Sequence, residues 1–169
     1  DHMDPDKISD VVKSLSGKSL PAGRQVYGNS DVVEKLKILG VDAATVYDRQ
    51  KFTVGEFEII PVDLPHCKMQ DGSDGPPNTG FLIGGVLFHP GDGDKAPENV
   101  LADNLALPIA GPSINMDGAL QFAKDIEAKV VIPIHFDSRF PADPQQFKNM
   151  AAPFGIEVRV LKPGEETTI

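Results

Sequence analysis

The chain has 169 residues, 40% hydrophobic and 24% charged, which suits one globular domain with a sizeable core. Its net charge of −9, with lysines and arginines scattered rather than gathered in a stripe, repels phosphate backbones and argues against nucleic acid as a partner. No apolar run reaches a bilayer-spanning length, no stretch resembles a secretion signal, and the single cysteine, Cys67, excludes an internal disulfide and a cysteine-based zinc cluster. A cytoplasmic location without membrane contact is therefore expected.

Asp4 and Pro5 open the first predicted helix as N-cap and first helical residue. Ile8, Val11, Val12 and Leu15 follow at helical spacing, and Gly17 closes it. RQVYG reads as a short strand. In GNSDVVEKLKILG, Asn29 or Ser30 caps a helix whose apolar stripe is Val32, Val33, Leu36 and Leu39, and Gly40 stops it. KFTVGEFEIIPV reads as two strands turning near Gly55, and GFLIGGVLFHP as a hairpin turning at Gly84-Gly85. Between them CKMQDGSDGPPN is a polar, Gly/Pro-rich loop without periodicity, and a loop of that length in a compact domain is often functional. NLALPI is a buried strand, Met116, Ala119, Leu120, Ala123 and Ile126 mark a helix, and KVVIPIHF is a second buried strand. Phe147, Met150, Ala151 and Phe154 give a short amphipathic helix, and IEVRVL and ETTI close the chain as strands. The alternation predicts a single α/β domain over residues 1–169, without internal repeats.

Three residues of metal-ligand type arrive in the same manner. His66 ends EIIPVDLPH, Asp92 follows VLFHPGD, and His135 ends VVIPIH. Loops beyond strand ends present reactive groups because the sheet fixes the backbone while side chains converge. Imidazole and carboxylate suit zinc or manganese. Each residue alone also fits a plainer role, a hydrogen-bonded boundary histidine or a turn aspartate. His89 is expected to be packed and hydrogen-bonded. Cys67 points away from His66 in extended chain, so a small buried hydrophobe is its expected role.

Taken in order, Asp1-His2 ahead of a helix, LPH, HPGDG, LPIAGP and IPIHFD resemble the metallo-β-lactamase superfamily of metal-dependent hydrolases. The likeness is greatest to its ascorbate-6-phosphate-lactonase-like branch, and it runs down to a KPGEE turn before the last strand. That family's first motif is His-x-His-x-Asp-His. Asp1 and His2 match its last two members, His66 the lone later histidine, Asp92 the bridging aspartate and His135 the terminal histidine. The motif's first two histidines and the strands before them have no counterpart in the chain, and glycine follows Asp92 where Thr or Ser is common. A cloning remnant is the plainer reading of His2-Met3.

The resemblance implies a four-layer αββα sandwich, here N-terminally truncated. It places Asp1, His2 and His135 around one divalent ion, His66 with the two absent histidines around a second, and Asp92 between them. Zinc is the expected metal, with manganese and iron compatible. A hydroxide formed between the two ions would attack a lactone or ester carbonyl or a phosphoester, so Asp1 and Asp92 are read as catalytic as well as ligating. On this reading the chain holds one ion well, and robust turnover needs the missing N-terminal segment of the same domain. Arg139 and Asn115 are candidate contacts to a small substrate, which can be anionic; a solvated arginine and a helix cap are their plainer roles. Two readings compete: a ribonuclease-Z-like phosphodiesterase, from the likeness of HFDSRF to that branch's His-Phe-Ser-x-Arg-Tyr segment, and a non-catalytic module of the same fold. A homo-oligomer stays open.

Overall fold

In the computed structural model the described residues are 26–112 and 114–169. The helix predicted from Asp4-Pro5 to Gly17 and the candidate ligands Asp1 and His2 lie outside them. The chain divides after Tyr47 into two units.

The first unit contains a βαβ element: β1 (Val26–Gly28), α1 (Ser30–Ile38) and β2 (Ala43–Thr45), with β1 and β2 parallel. Asn29, rather than Ser30, caps α1, its Oδ1 accepting from Val32 N at 3.0 Å. Gly40 ends the helix at φ +75, where Gly40 N donates to Lys37 O and Val41 N to Leu36 O. Of the predicted stripe, Leu36 is buried but Leu39, the C-cap residue, is 39% exposed. β2 escaped prediction because AAT is short and carries no alternation.

The second unit is built on a seven-stranded sheet whose strands lie in chain order. They are β3 (Phe52–Val54), β4 (Phe57–Asp63), β5 (Thr79–Ile83), β6 (Leu87–His89), β7 (Asn104–Pro108), β8 (Val130–Ile134) and β9 (Glu157–Val158). From β3 to β6 neighbours are antiparallel; from β6 to β9 they are parallel. The hairpins turn where expected, at Gly55 and at Gly84-Gly85, all three with positive φ. β7 is buried at every position, as a strand inside a parallel region should be.

Two helices provide the crossovers, α2 (Met116–Asp125) between β7 and β8 and α3 (Pro144–Ala151) between β8 and β9. Ala119, Phe122, Ala123 and Ile126 of α2 and its end join Phe147 and Ala151 of α3 in one apolar core with Leu105, Leu107, Val131 and Val158 of the sheet. Phe154, predicted to continue α3, lies instead in a 3-10 turn over Ala152–Phe154 and is 53% exposed. Pro153 has no N–H to continue the α-helical ladder there. ETTI does not form a strand. Glu165 N bonds to Lys162 O across the Pro163-Gly164 turn, and Arg159 holds the tail by donating to Thr168 O at 2.6 Å. Among the described residues no helix is long and apolar enough to cross a membrane.

Candidate metal centre

Strand direction decides where the candidate ligands go. β4 is antiparallel to β5, and β5 to β6, so β4 and β6 run the same way; β7 and β8 are parallel to β6. All four strands therefore end at one edge of the sheet. His66 follows β4, Asp92 follows β6 and His135 follows β8 directly. Each histidine strand is two positions from β6, roughly 10 Å at ordinary strand spacing, so the three side chains must lean inward to meet.

They do meet. His66 Nε2 lies 3.6 Å and His135 Nε2 3.4 Å from the same oxygen, Asp92 Oδ2. His66 is drawn in by a bridge between His66 and Gly93 and by a 2.9 Å bond from Cys67 N to Asp92 O. His135 takes φ +57, a left-handed conformation that turns it sharply off the end of β8 and that histidine adopts more readily than bulkier residues. The His135 side chain is 21% exposed, whereas that of His66 is 1% exposed.

The other ring nitrogens fix the tautomers. His66 Nδ1 lies 2.6 Å from Cys67 O, and His135 Nδ1 lies 2.7 Å from Ala110 O. A carbonyl only accepts, so each Nδ1 donates there, which leaves Nε2 of each ring facing the Asp92 carboxylate. Backbone partners behind imidazole are also what orient metal-ligating histidines. The spacing fits as well: two donors each about 2.1 Å from a tetrahedral zinc stand about 3.4 Å apart. Among the described residues, no group of three or more His, Cys, Asp or Glu is placed to hold a metal ion as it stands. The donor types and the two nitrogen–oxygen separations nonetheless suit a divalent cation.

Two supports went unnoticed in the sequence. Gly75 packs its backbone on the His66 ring, where a Cβ would come within 2.2 Å of Nδ1. Asn78, 6% exposed, sits between the His66 and Asp92 segments. Neither stands out in a loop rich in Gly, Pro and Asp. Cys67 is fully buried, in keeping with the small apolar role read from its sequence.

His89 is packed and hydrogen-bonded, its Nδ1 accepting from Gly91 N at 3.1 Å. Burial pushes its pKa below the ordinary histidine value. The unfolded chain therefore binds this proton first on acidification, and folding stability falls as pH drops from about 6.5 toward the lowered folded-state value. The full contribution of a neutral His89 is present above that window. His89→Asn, which offers Oδ1 to Gly91 N but does not titrate, is expected to flatten the decline in melting temperature between about pH 7 and pH 5. An unchanged slope would remove His89 as its cause.

The segment after His135 is a tight turn. Asp137 Oδ1 accepts from Arg139 N at 2.7 Å and Phe140 N at 3.1 Å. The bonds from Phe140 and Arg139 hold the Asp137 carboxyl below the usual carboxylate range. Phe140 stacks on the His135 ring with centroids 5.6 Å apart, and the Arg139 guanidinium lies 5.8 Å from the Phe140 ring. The Arg139 side chain is 80% exposed, so it stands beside the site and open to solvent. Asn115 caps α2, its Oδ1 accepting from Gly118 N at 2.9 Å, and it borders a cleft of about 100 Å³ with Gly93, Asp94, Leu107 and Phe122.

A family model described as a beta-lactamase superfamily domain matches residues 1–135, a span that includes His66 and Asp92 and ends on His135. The chain is 28% identical over 172 residues to a UPF0173 metal-dependent hydrolase of Nanoarchaeum equitans, covering 95% of this chain and 70% of the relative. It is 31% identical over 124 residues to a UPF0173 metal-dependent hydrolase of Thermoplasma volcanium, covering 65% of this chain and 56% of that protein. The chain thus spans only part of the length of either relative. Among solved structures, a metallo hydrolase of Ignicoccus hospitalis superposes with a TM-score of 0.73 at 22% identity, covering 97% of this chain and 75% of the other. The metallo-β-lactamase fold protein YhfI of Bacillus subtilis gives 0.66 at 16% identity, covering 96% and 71%. Likeness at these identities establishes the fold.

Proposed function

The chain belongs to the beta-lactamase superfamily as a metal-dependent hydrolase of the metallo-β-lactamase fold, and from that premise we propose that it hydrolyses a small lactone, ester or phosphoester. The observation that carries this reading is the approach of two imidazole Nε2 atoms, 3.6 and 3.4 Å away, to one buried carboxylate oxygen. In this reading His66, Asp92 and His135 are ligands of divalent cations, zinc first among them, and the family resemblance adds Asp1 and His2 as ligands of the ion that Asp92 and His135 share. A bound divalent cation supplies Lewis acidity and a water-derived nucleophile at neutral pH.

The chain's own residues do the rest. Cys67 O and Ala110 O keep the Nδ1 protons in place, so both rings present Nε2 throughout. Asp92 presents one carboxylate oxygen to both rings. Arg139, exposed beside His135, offers a forked donor to an anionic group on the substrate. Asn115 is the weaker candidate contact, since its side-chain oxygen already caps α2. The net charge of −9 favours a small substrate over RNA.

The test is a hydrolysis panel of lactones, carboxylic esters, simple phosphodiesters and a structured RNA, with metal content measured in parallel. Chelation is expected to abolish turnover, and zinc, manganese or iron to restore it. Turnover indifferent to chelation overturns the proposal, and cleavage of the RNA alone would select the phosphodiesterase reading instead.

A further inference from the structure

Asn78 is bonded to both segments that bring His66 and Asp92 together. Its Nδ2 donates to Pro90 O at 3.0 Å and to Leu64 O at 3.4 Å, while its Oδ1 accepts from Asp92 N at 3.1 Å. Leu64 lies two residues ahead of His66 on the exit from β4, and Pro90 opens the turn that ends on Asp92. Donor and acceptor are both used, which an amide satisfies and neither a carboxylate nor an apolar side chain does. The fit is close: a Cβ on Gly91, which holds φ +61, would come within 2.1 Å of Asn78 Oδ1.

We propose that Asn78 is a positioning residue for the cation site, setting the separation of the His66 imidazole from the Asp92 carboxylate and so the affinity for a divalent ion. The inference rests on the reading that these two side chains are cation ligands. The bond to Asp92 N acts on the residue that bears the carboxylate, so a shift there moves Oδ2 with it. Metal–ligand distances tolerate only about 0.2 Å, so a small slip between the two segments costs affinity before it costs the fold.

The experiment is zinc affinity at 25 °C, by competition with a chromophoric chelator, for the full chain and for Asn78→Asp, Gly91→Ala and Asp92→Asn. Asn78→Asp keeps the size and the acceptor for Asp92 N but turns a second oxygen toward the Pro90 and Leu64 carbonyls. It is expected to weaken zinc by about 10- to 100-fold, as loss of a partner behind the ligands commonly does, with the circular dichroism of the folded chain retained. Gly91→Ala disturbs the same link from the other side and is expected to weaken zinc in the same direction, so the conclusion does not hang on one variant folding. A lower melting temperature with wild-type zinc affinity in the folded molecules would make Asn78 merely structural and overturn the inference. Wild-type affinity in Asp92→Asn would sink the cation reading itself. Loss in Asp92→Asn with none in the other two would sink only the role of Asn78.

Discussion

Asp92→Asn is expected to lower hydrolysis by about 10³-fold, a barrier increase of roughly 4 kcal/mol, because the substitution removes the one anion shared by both imidazoles. The amide has nearly the same shape as the carboxylate. The local backbone links, Cys67 N to Asp92 O at 2.9 Å and Asp92 N to Asn78 Oδ1 at 3.1 Å, do not involve the side chain that changes. The melting temperature of the metal-free chain should therefore move little while cation affinity and turnover collapse together. That separation makes the variant informative, since truncation to alanine at a site 5% exposed would mix a packing loss into the result. Activity within threefold of wild type, with the same zinc content, would mean that the shared oxygen is an architectural contact and the cation sits elsewhere.

The convergence on Asp92 was legible in the sequence, and the topology explains why. Each candidate followed an apolar strand, and strands of one direction end at one edge, so LPH, HPGD and IPIH were bound to arrive near one another once β4, β6 and β8 ran the same way. What placed them in contact was not legible. The bridge at Gly93, the Asn78 amide and the Gly75 backbone against the His66 ring are contacts between residues well separated in the chain, and no local pattern announces them. The same reasoning covers the failures of local propensity. The β-branched residues of ETTI read as strand, but the Pro163-Gly164 turn and the Arg159 side chain place the tail where no ladder receives it. Leu39 kept the period of its helix yet lies at its cap, where periodicity no longer decides burial. Asn115 and Arg139 were singled out for their chemistry; the structure gives Asn115 a cap to make and leaves Arg139 in solvent beside the site.

Phe147→Ala should be the most damaging substitution remote from the site. α3 has eight residues, too few to persist alone in water, and its local support is slight: the cap in which Gln145 N donates to Asp143 Oδ1 at 2.8 Å, Pro144 in the first turn, and a 3.5 Å bond from Gln145 Nε2 to Asn149 Oδ1. Its stability must come from the face it buries, where Phe147 and Ala151 are both fully inaccessible. Phe147 belongs to the same core as Phe122 on α2 and Val158 on β9, so its removal leaves a cavity that three elements share and that none can close alone. The expected cost is about 3–5 kcal/mol, a large part of the roughly 5–15 kcal/mol by which domains of this size are stable. At about 2–4 °C per kcal/mol the melting temperature should fall by roughly 10 °C. Phe154→Ala is the matched control: the same ring, 53% exposed, with the Lys124 ammonium 4.5 Å above it as its recorded cation contact. An exposed cation–π pair contributes about 0.5–1 kcal/mol, so the control should lose only a few degrees. Equal losses in the two variants would show that the ring at 147 is not packed as described. Zinc affinity measured well below the melting point is expected to be unchanged in both.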